Sequence, residues 1–480
     1  MASKRDLLQA QRFLVQRVLS ALVTRETDPE QPPFRRPSGA AWGSIAIAAV
    51  TLAAIGVYGL VVPGGNRAWR DGNAVIVVKE TGTRYVYVNG RLHPVLNYAS
   101  ALLALERNAP TRTVSRESLV GVPRGPRIGI PDAPDALPRT DRVLTGGWTL
   151  CSRPAADETG GTVDRSVLLA GAEPTGGRAL DEAALLVEVP ETGDQYLIWR
   201  GYRHRIRQPD TVTVGLALRA APRTRVGLSV VDVLPAGAPI APIAVPQAGQ
   251  PSTAVPRRPE LRTGQLLQVQ TSGGGVQHYL VERDRLRLIS ELQYDIQLAY
   301  RGTVAAYRGG EPAGLPLGLA AATEARQQAP AAPGPDAAPP RRPDFAESGP
   351  GPVTVCATYD GGHWVPRLRV GATLPAPEAM TATAGRTVEG LPLADLVYVP
   401  PGRAALVEVM PSVSARAGAG TVLLVTELGR AYPLAGRGVL RILGYDRIAP
   451  VRLPAGLVAR VPLGSGLDPE AARSPDAGLS

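Results

Sequence analysis

The feature that most constrains this chain is the uncharged apolar run WGSIAIAAVTLAAIGVYGLVV, which extends from Trp42 to Val62. As an α-helix this run would be about 31 Å long, which matches the hydrocarbon core of a bilayer. Trp42 and Tyr58 stand near its ends, where amphipathic aromatic side chains favour the membrane interface. A buried core helix is the alternative interpretation. The run is too long, and too far from the N-terminus, for a cleavable signal peptide. It therefore predicts a single-pass transmembrane helix.

Charge and cysteine content predict the orientation of this span. The 41 residues before it contain seven lysine and arginine residues, and the 41 after it contain five. Such cations are more frequent on the cytoplasmic side of a span. A sole pair of cysteines in a large domain suits an oxidising compartment. Both observations predict a cytoplasmic N-terminus and a large extracytoplasmic body at the inner (plasma) membrane.

The segment before the span has the pattern of an amphipathic helix. Apolar residues of DLLQAQRFLVQRVLSALVTRE recur at helical spacing, while the arginines lie mostly elsewhere. The stripe is formed by Leu7, Leu14, Val15, Val18 and Leu22, together with Leu8, Gln11 and Leu19. A helix of this kind buries its stripe against a membrane surface or a partner protein. We favour a partner protein, because lysine and aromatic anchors are sparse.

Beyond the span, one pattern occurs four times. Each copy has a strand, a polar turn, a second strand, a turn at Gly or Asp, and a third short strand. The copies begin at Ala74, Ala184, Gln265 and Ala404, and their second turns are at Gly90, Gly201, Asp284 and Gly429. Glycine and aspartate adopt turn conformations that are strained for β-branched residues. Self-similarity at fixed offsets predicts four repeated structural units.

Two cysteines stand between these copies, each within a strand-like run. Cys151 lies in WTLCSR between the first two copies, and Cys356 lies in VTVCATYD between the last two. The chain thus reads as two similar halves, each contributing one cysteine. We expect the two cysteine segments to pair in one central β domain with a Cys151–Cys356 disulfide. A metal site is disfavoured, because two thiolates need further ligands at regular spacing, and none are present.

The predicted fold is mainly β with short helices (α+β). One N-terminal transmembrane helix precedes an elongated, pseudo-two-fold body of four β-rich repeats around the disulfide-linked domain. Proline-rich stretches are expected to be extended, unpacked linkers. The predicted divisions are 1–41 cytoplasmic tail, 42–62 transmembrane helix, 70–138 repeat 1, 140–175 first segment of the central domain, 180–235 repeat 2, 236–260 linker, 261–325 repeat 3, 326–350 linker, 351–400 second segment of the central domain, 401–464 repeat 4 and 465–480 disordered tail.

Sequence motifs give no catalytic, cofactor or metal site. The only lysines are Lys4 and Lys79, and neither completes a phosphate-binding G-x-x-x-x-G-K-[ST] motif. His93 and His204 occupy the same repeat position, where the other copies have Arg287 and Tyr432; this favours a structural strand-end role. Net charge is +10, but the arginines are scattered and no nucleic-acid-binding motif is present, so we expect no nucleic-acid partner.

Three stretches together resemble the EccB family of actinobacterial type VII (ESX) secretion components. They are ASKRDLLQAQRFLVQRVLSALV, the single apolar run, and VYVNGRLHPVLNYASALLAL with LVGVPRGPRIGIPDAPDALP downstream. The resemblance covers almost the whole chain, includes both cysteines, and is densest over residues 1–150. It implies four repeats about a disulfide-stapled centre. It also implies assembly with EccC (the FtsK/SpoIIIE-like motor), EccD, EccE and the mycosin protease.

The sequence and the resemblance lead to two alternative functions. The first is a structural, membrane-anchored subunit that organises the extracytoplasmic side of the secretion channel. This interpretation includes contacts with further copies of the chain and with the cell wall. The second is a hydrolase or ATPase, as members of the family are often labelled, although the P-loop motif is missing. A peptidoglycan-binding anchor that acts alone is a minor third interpretation.

Overall fold

The computed structural model describes residues 3–24, 35–61, 68–157, 159–328, 332–347 and 352–475. Two helices come first, α1 (Lys4–Thr24) and α2 (Arg35–Val61). Helix α2 contains the predicted span except Val62, which lies outside the described residues. No other described helix is long and apolar enough to cross a membrane.

The first small sheet shows how each repeated segment folds. Its strands are β1 (Val75–Val78), β2 (Arg84–Val88), β3 (Arg91–Pro94) and β4 (Thr111–Val114). Strands β1 to β3 form an antiparallel meander, and β4 lies parallel to β1 at the edge. Helix α3 (Tyr98–Leu105) connects β3 to β4 and packs on one face of the sheet. The side chain of Asn97 caps α3 by accepting a hydrogen bond from the Ser100 N–H at 2.9 Å.

The remaining elements follow in chain order. The strands are β5 (Val143–Leu144), β6 (Trp148–Ala156), β7 (Thr162–Leu169), β8 (Thr175–Ala179), β9 (Leu185–Glu188), β10 (Gln195–Trp199), β11 (Tyr202–Arg205), β12 (Arg223–Arg225), β13 (Leu266–Gln270), β14 (Val276–Val281), β15 (Leu286–Ile289), β16 (Gly314–Pro316), β17 (Val355–Tyr359), β18 (Arg367–Thr373), β19 (Thr381–Ala382), β20 (Leu396–Tyr398), β21 (Ala404–Met410), β22 (Val422–Thr426), β23 (Ala431–Pro433) and β24 (Val451–Pro454). The helices are α4 (Pro209–Gly215), α5 (Leu228–Val231), α6 (Glu291–Ala299), α7 (Arg301–Val304), α8 (Leu319–Glu324), α9 (Gly438–Leu443), α10 (Ala455–Val458) and α11 (Pro469–Arg473).

Four small sheets have one strand order. Sheet 1 is β3-β2-β1-β4, sheet 2 is β11-β10-β9-β12, sheet 3 is β15-β14-β13-β16, and sheet 4 is β23-β22-β21-β24 with β5 added beside β21. In each of them an antiparallel meander is followed by a fourth strand parallel to the first. The four sheets coincide with the four copies of the sequence pattern.

A larger sheet draws its strands from both halves of the chain. Its order is β19-β20-β7-β6-β17-β18-β8, so the central pair joins β6 of the first half to β17 of the second. One face of this central sheet, including Trp148 and Leu150, packs in one core with Val187 of sheet 2 and Val407 of sheet 4. The body is therefore mainly β, as predicted, and its centre is built from both halves.

The small sheets pack in pairs. Sheets 1 and 4 share a core in which Leu102 of α3 contacts a cluster that includes Leu424. Sheets 2 and 3 share a second core through helices α4 and α6, which include Val212 and Ile296. A Cβ atom on Gly215 would lie 2.8 Å from the Ile296 Cα atom, so the two helices meet at a glycine.

The proline-rich segments correct one expectation. Residues 236–260 and the described part of 326–350, which is 326–328 and 332–347, are extended in places but not unpacked, because each contributes apolar side chains to a core. Ile240 is buried in the core of sheets 2 and 3, and Val255 is buried in that of sheet 3. Around Phe345, the Ala184 N–H donates to the Asp344 carbonyl, and the Ala346 N–H donates to the Ala184 carbonyl, both at 2.8 Å.

The C-terminal segment also differs from the prediction. Residues 465–480 were expected to be a disordered tail, but residues 465–475 are folded against sheets 1 and 4, and 476–480 lie outside the described residues. Leu467 and Ala472 are fully buried, and α11 packs against α3. The prediction was wrong because only two apolar residues, Leu467 and Ala472, anchor this short polar segment, and two such residues give little sign of folding in the sequence.

Candidate functional site

The amphipathic stripe of α1 is the first candidate interaction surface. The predicted helix is present, and its stripe residues Leu7, Leu14, Val15, Val18 and Leu22 are between 53% and 75% exposed. No described residue covers them. A helix with such a stripe gains stability when a second apolar surface removes it from water.

Helix α2 is the second candidate. The segment Gly39–Tyr58 meets the length and hydropathy of a membrane span, and none of it is buried in the protein. Trp42 and Tyr58 are 73% and 71% exposed. The alternative of a core helix would require burial, so the exposure favours a helix whose apolar surface faces lipid.

The disulfide joins the two halves at the middle of the central sheet. Cys151 of β6 and Cys356 of β17 are directly opposite each other, are bonded, and are fully buried. They lie on the face opposite Trp148 and Leu150, among apolar residues such as Val167. Two residues along the same strand pair, the Thr149 and Thr358 hydroxyls form a buried hydrogen bond at 3.0 Å. The predicted disulfide is thus present and reinforces a strand pair that is already well matched.

Three of the four predicted turn residues have the conformation for which glycine is suited. Gly90, Gly201 and Gly429 have φ values of 74°, 80° and 67°. Asp284, in the four-residue turn between β14 and β15, does not lie in the left-handed region. In that turn the Glu282 N–H donates to the Arg285 carbonyl at 2.9 Å.

The repeated histidines hold the segments that follow each small sheet. His204 is fully buried, with Nδ1 2.8 Å from the Ala238 carbonyl oxygen, and burial lowers its pKa. A Cβ atom on Gly237 would lie 2.4 Å from the His204 ring. His93 repeats the arrangement, with Nδ1 3.1 Å from the Pro126 carbonyl oxygen. These contacts support the structural role that the repeat comparison favours.

Tyr432 fills the same place in sheet 4. A Cβ atom on Gly464 would lie 2.4 Å from its ring, as a Cβ on Gly125 would lie 2.2 Å from the His93 ring. The sequence signal was a glycine 32 to 33 residues after each ring residue, within a proline-containing segment. It was missed because the interval between ring and glycine varies and the flanking residues differ.

A polar junction between sheet 2, sheet 4 and the central sheet was also missed. The buried Tyr359 hydroxyl on β17 donates to the Val233 carbonyl at 2.9 Å, and burial raises the pKa of Tyr359. Arg203 lies 2.9 Å from Asp232, and Arg460 donates to the Pro392 carbonyl at 2.7 Å. Local sequence carries no sign of this junction, because its members come from distant segments.

Within the described residues, no group of three or more His, Cys, Asp or Glu side chains has the arrangement of a metal site. The side-chain contacts described above instead join one element to another, and most of the large exposed apolar residues in the described chain lie on the two N-terminal helices. What this arrangement can do is hold a body of several sheets together and present surfaces to a membrane and to other chains.

Comparison with known proteins decides the family. Residues 1–479 match the sequence profile described as type VII secretion system ESX-1, transport TM domain B, the EccB profile. The chain belongs to the EccB family. The resemblance drawn from the sequence is thereby confirmed.

Relatives and solved structures agree with this assignment. The EccB-family chain is 30% identical over 418 residues to a Mycobacterium tuberculosis protein named ESX-2 secretion system ATPase EccB2, covering 83% of this chain and 81% of that protein. It is 30% identical over 310 residues to the ESX-1 secretion system ATPase EccB1 of the same species, covering 64% of this chain and 62% of that protein.

Two solved structures share the fold of this EccB-family chain. A chain of the intact ESX-5 inner membrane complex matches with a TM-score of 0.64 at 24% identity, covering all of this chain and 97% of that one. The EccB3 dimer from the ESX-3 core complex matches with a TM-score of 0.63 at 22% identity, covering 84% of this chain and all of that one.

Proposed function

We propose that this chain is a structural, membrane-anchored subunit of type VII secretion machinery that organises the extracytoplasmic side of the translocation channel. The observation that carries the proposal is the cross-linked central sheet, which unites both halves of the chain and shares a core with sheets 2 and 4. Such a body holds its contact surfaces at fixed positions outward from the membrane anchor, which is what a scaffold does.

The domain division supports this role. We propose repeat 1 at 70–138, repeat 2 at 180–235, repeat 3 at 261–325 and repeat 4 at 401–464, arranged around a central domain of residues 140–175 and 351–400. The sheets within these ranges have one strand order. Their shared cores arrange the repeats as a first-and-fourth pair and a second-and-third pair.

The membrane topology completes the proposal. With a cytoplasmic N-terminus, α1 is on the cytoplasmic side of the membrane and contacts core subunits such as EccC, EccD or EccE. The body is on the extracytoplasmic side and contacts the mycosin protease, the cell wall or a second copy of the chain. The excess of lysine and arginine before α2 and the disulfide both support this orientation.

The α1 stripe provides the sharpest test. We expect Leu14→Asp or Val18→Asp to reduce co-purification of the other core subunits at least tenfold after detergent extraction. A carboxylate in an apolar helix interface is costly to desolvate, and a tenfold loss needs only about 1.4 kcal/mol. Gln9→Asp and Gln16→Asp are the matched controls, since those exposed residues lie on the opposite side of the helix.

Unchanged complex yield in the stripe variants would refute docking through α1. If the unaltered chain purifies alone under conditions that keep the other subunits together, a peptidoglycan-binding anchor replaces the scaffold. The relatives carry ATPase in their names, so ATP turnover by the purified chain is the third measurement. Turnover that persists through repeated purification and follows the protein peak would favour the enzyme.

A further inference from the structure

Repeat 1 is tied close to the membrane. Helix α2 ends at Val61, and the next described residue, Ala68, begins a 3₁₀ turn that belongs to the fold of sheet 1. The six residues between them span at most about 25 Å when fully extended. The region of sheet 1 that carries this 3₁₀ turn therefore remains near the surface from which the span emerges.

A layer that includes the first described residues after the span covers the outer face of sheet 1, opposite α3. We call it the Trp69 layer: the 3₁₀ turns Ala68–Asp71 and Arg116–Leu119 and the loop that continues to Arg124. Trp69 and Leu119 are buried together against Ile76, Leu92 and neighbouring residues of the sheet. The inner side of the layer is therefore packed, and its position relative to Ala68 is fixed.

The outer side of the layer presents arginines supported by aromatic rings. The Arg70 guanidinium lies 5.4 Å from the Trp69 ring centroid. The Arg124 guanidinium lies 5.2 Å from the Tyr85 ring centroid and donates to the Tyr85 hydroxyl at 2.8 Å. Stacking on a ring holds a guanidinium in place without neutralising it. Val120, between them in the chain, is 73% exposed.

These cations differ from others in the same repeat. Arg84 and Arg112 form ion pairs with Asp135 and Asp71. Within the described residues, by contrast, the guanidiniums of Arg70, Arg116 and Arg124 form no ion pair. The Trp69 layer itself contains three arginines and two carboxylates, Asp71 and Glu117, and Asp71 is paired with Arg112. The layer therefore has an excess of positive charge.

We propose that the Trp69 layer docks onto anionic phospholipid headgroups of the leaflet from which α2 emerges. Arg70, Arg116 and Arg124 would contact the phosphates, and Val120 would enter the headgroup region. The occupant is a membrane because the tether keeps this face near the bilayer and its charge is complementary to anionic lipid. The inference rests on the element of the proposed function in which α2 spans the membrane.

The test uses the full chain reconstituted into vesicles. One set contains phosphatidylcholine alone, and in the other a third of the lipid is phosphatidylglycerol. Hydrogen–deuterium exchange followed by mass spectrometry reports on peptides covering 68–71 and 116–124. We expect slower exchange of these peptides in the anionic vesicles, reversed by high salt, because electrostatic attraction to the surface is screened.

A triple variant, Arg70→Gln, Arg116→Gln and Arg124→Gln, should abolish that difference. Each arginine near an anionic surface contributes roughly a fivefold bias toward the docked state, so three contribute about a hundredfold. The matched control is Arg301→Gln, Arg308→Gln and Arg341→Gln, which removes the same charge from exposed residues outside repeat 1. A triple arginine-to-lysine variant keeps the charge and should keep most of the protection.

Three results would overturn the proposal: equal exchange in both vesicle types, protection that survives in the triple glutamine variant, or protection lost equally in the distant control. Loss of the signal in the lysine variant together with a lower melting temperature would also overturn it, because the arginines would then be structural. Flotation with vesicles after an alkaline wash, whatever the lipid charge, separately tests whether α2 spans. Failure there would contradict the proposed function rather than the docking surface.

Discussion

At the residue scale, the disulfide is the single bond that connects the two halves covalently outside the main chain. Cys151 and Cys356 are separated by 205 positions, so the bond closes a long loop. Loop closure of this length restricts the unfolded chain, and the chain-entropy relation gives about 5 kcal/mol as an upper figure. The folded sheet itself retains its register through the hydrogen bonds of β6 and β17.

Replacing both cysteines with alanine should therefore lower the free energy of unfolding by about 2–5 kcal/mol without changing the fold. Chemical unfolding of the wild type with and without reductant, alongside the double variant, measures this effect. The reduced wild type and the double variant should unfold at similar denaturant concentrations. A double variant as stable as the oxidised wild type would show that the bond contributes nothing to the stability of the body.

His204 provides a pH-dependent prediction. Burial lowers its pKa below the ordinary value of 6.5, although a backbone hydrogen bond to Ala238 opposes the shift. As pH falls through 6.5, the unfolded chain binds a proton that the folded chain does not. The free energy of unfolding therefore decreases with falling pH, and this decrease ends below the folded-state pKa.

His204→Asn keeps a side-chain N–H near the Ala238 carbonyl and removes the titrating group. We expect its stability to fall less than that of the wild type between about pH 8 and pH 5, the range in which histidine changes charge. Denaturant titrations across that range give the difference directly. His278 remains in both proteins and its effect cancels. Parallel pH curves for the two proteins would mean that His204 is protonated equally in both states.

At the element scale, much of the architecture could be predicted from local pattern. Gly90 and Gly201 indicated tight hairpin turns, and the strand-like runs around Cys151 and Cys356 indicated that these residues pair. How the small sheets pair with one another could not be predicted, since α4 meets α6 through contacts between segments about 80 residues apart. Packing partners of this kind leave no periodic signal in the sequence.

The contact between α4 and α6 makes Gly215 a sensitive position. Gly215→Ala would place a Cβ atom 2.8 Å from the Asp295 carbonyl oxygen and from the Ile296 Cα atom. Because both are backbone atoms, the helices must separate, and we expect a loss of about 1–3 kcal/mol of stability. Gly456→Ala in α10 is the matched control, since no atom lies within 4 Å of its Cβ position.

The control should be neutral or stabilising by about 0.4–1 kcal/mol, because alanine restricts the unfolded chain more than glycine does. Thermal unfolding of both variants gives the comparison. If Gly215→Ala were as harmless as Gly456→Ala, sheets 2 and 3 would not be held by this close helix contact.

At the scale of the whole molecule, the body is organised by returns of the chain to earlier segments. The second half supplies β17 to the centre, and the last folded segment returns to repeat 1. The proline-rich stretches contribute to this organisation as well, because Ile240 and Phe345 pack within the body. The predicted division into repeats and linkers therefore understates how continuous the packing is.

The C-terminal return forms a clamp between sheets 1 and 4, made by residues 467–475. Leu467 is fully buried in the core that the two sheets share. Arg473 forms an ion pair with Glu106 at 2.7 Å and donates to the Ala104 carbonyl at 3.0 Å at the end of α3. The clamp thus satisfies a helix C-terminus in repeat 1 while filling the core of the pair.

Deleting residues 467–480 should open this pair while leaving the rest of the body folded. Loss of the Leu467 side chain alone removes roughly 1.5–3 kcal/mol of stabilisation from apolar burial. The core next to α3 and α9 then becomes exposed to water. Hydrogen exchange should rise in α3 and in β22–β23 and remain unchanged in β13–β14 of sheet 3. Deleting only 476–480 is the matched control and should change neither region.

If the longer deletion raised exchange uniformly across all four sheets, the body would unfold as one cooperative unit. If it raised exchange nowhere, the clamp would have no role. A local increase, confined to sheets 1 and 4, is the outcome that the packing predicts, because the core of sheets 2 and 3 contains no residue of the C-terminal segment.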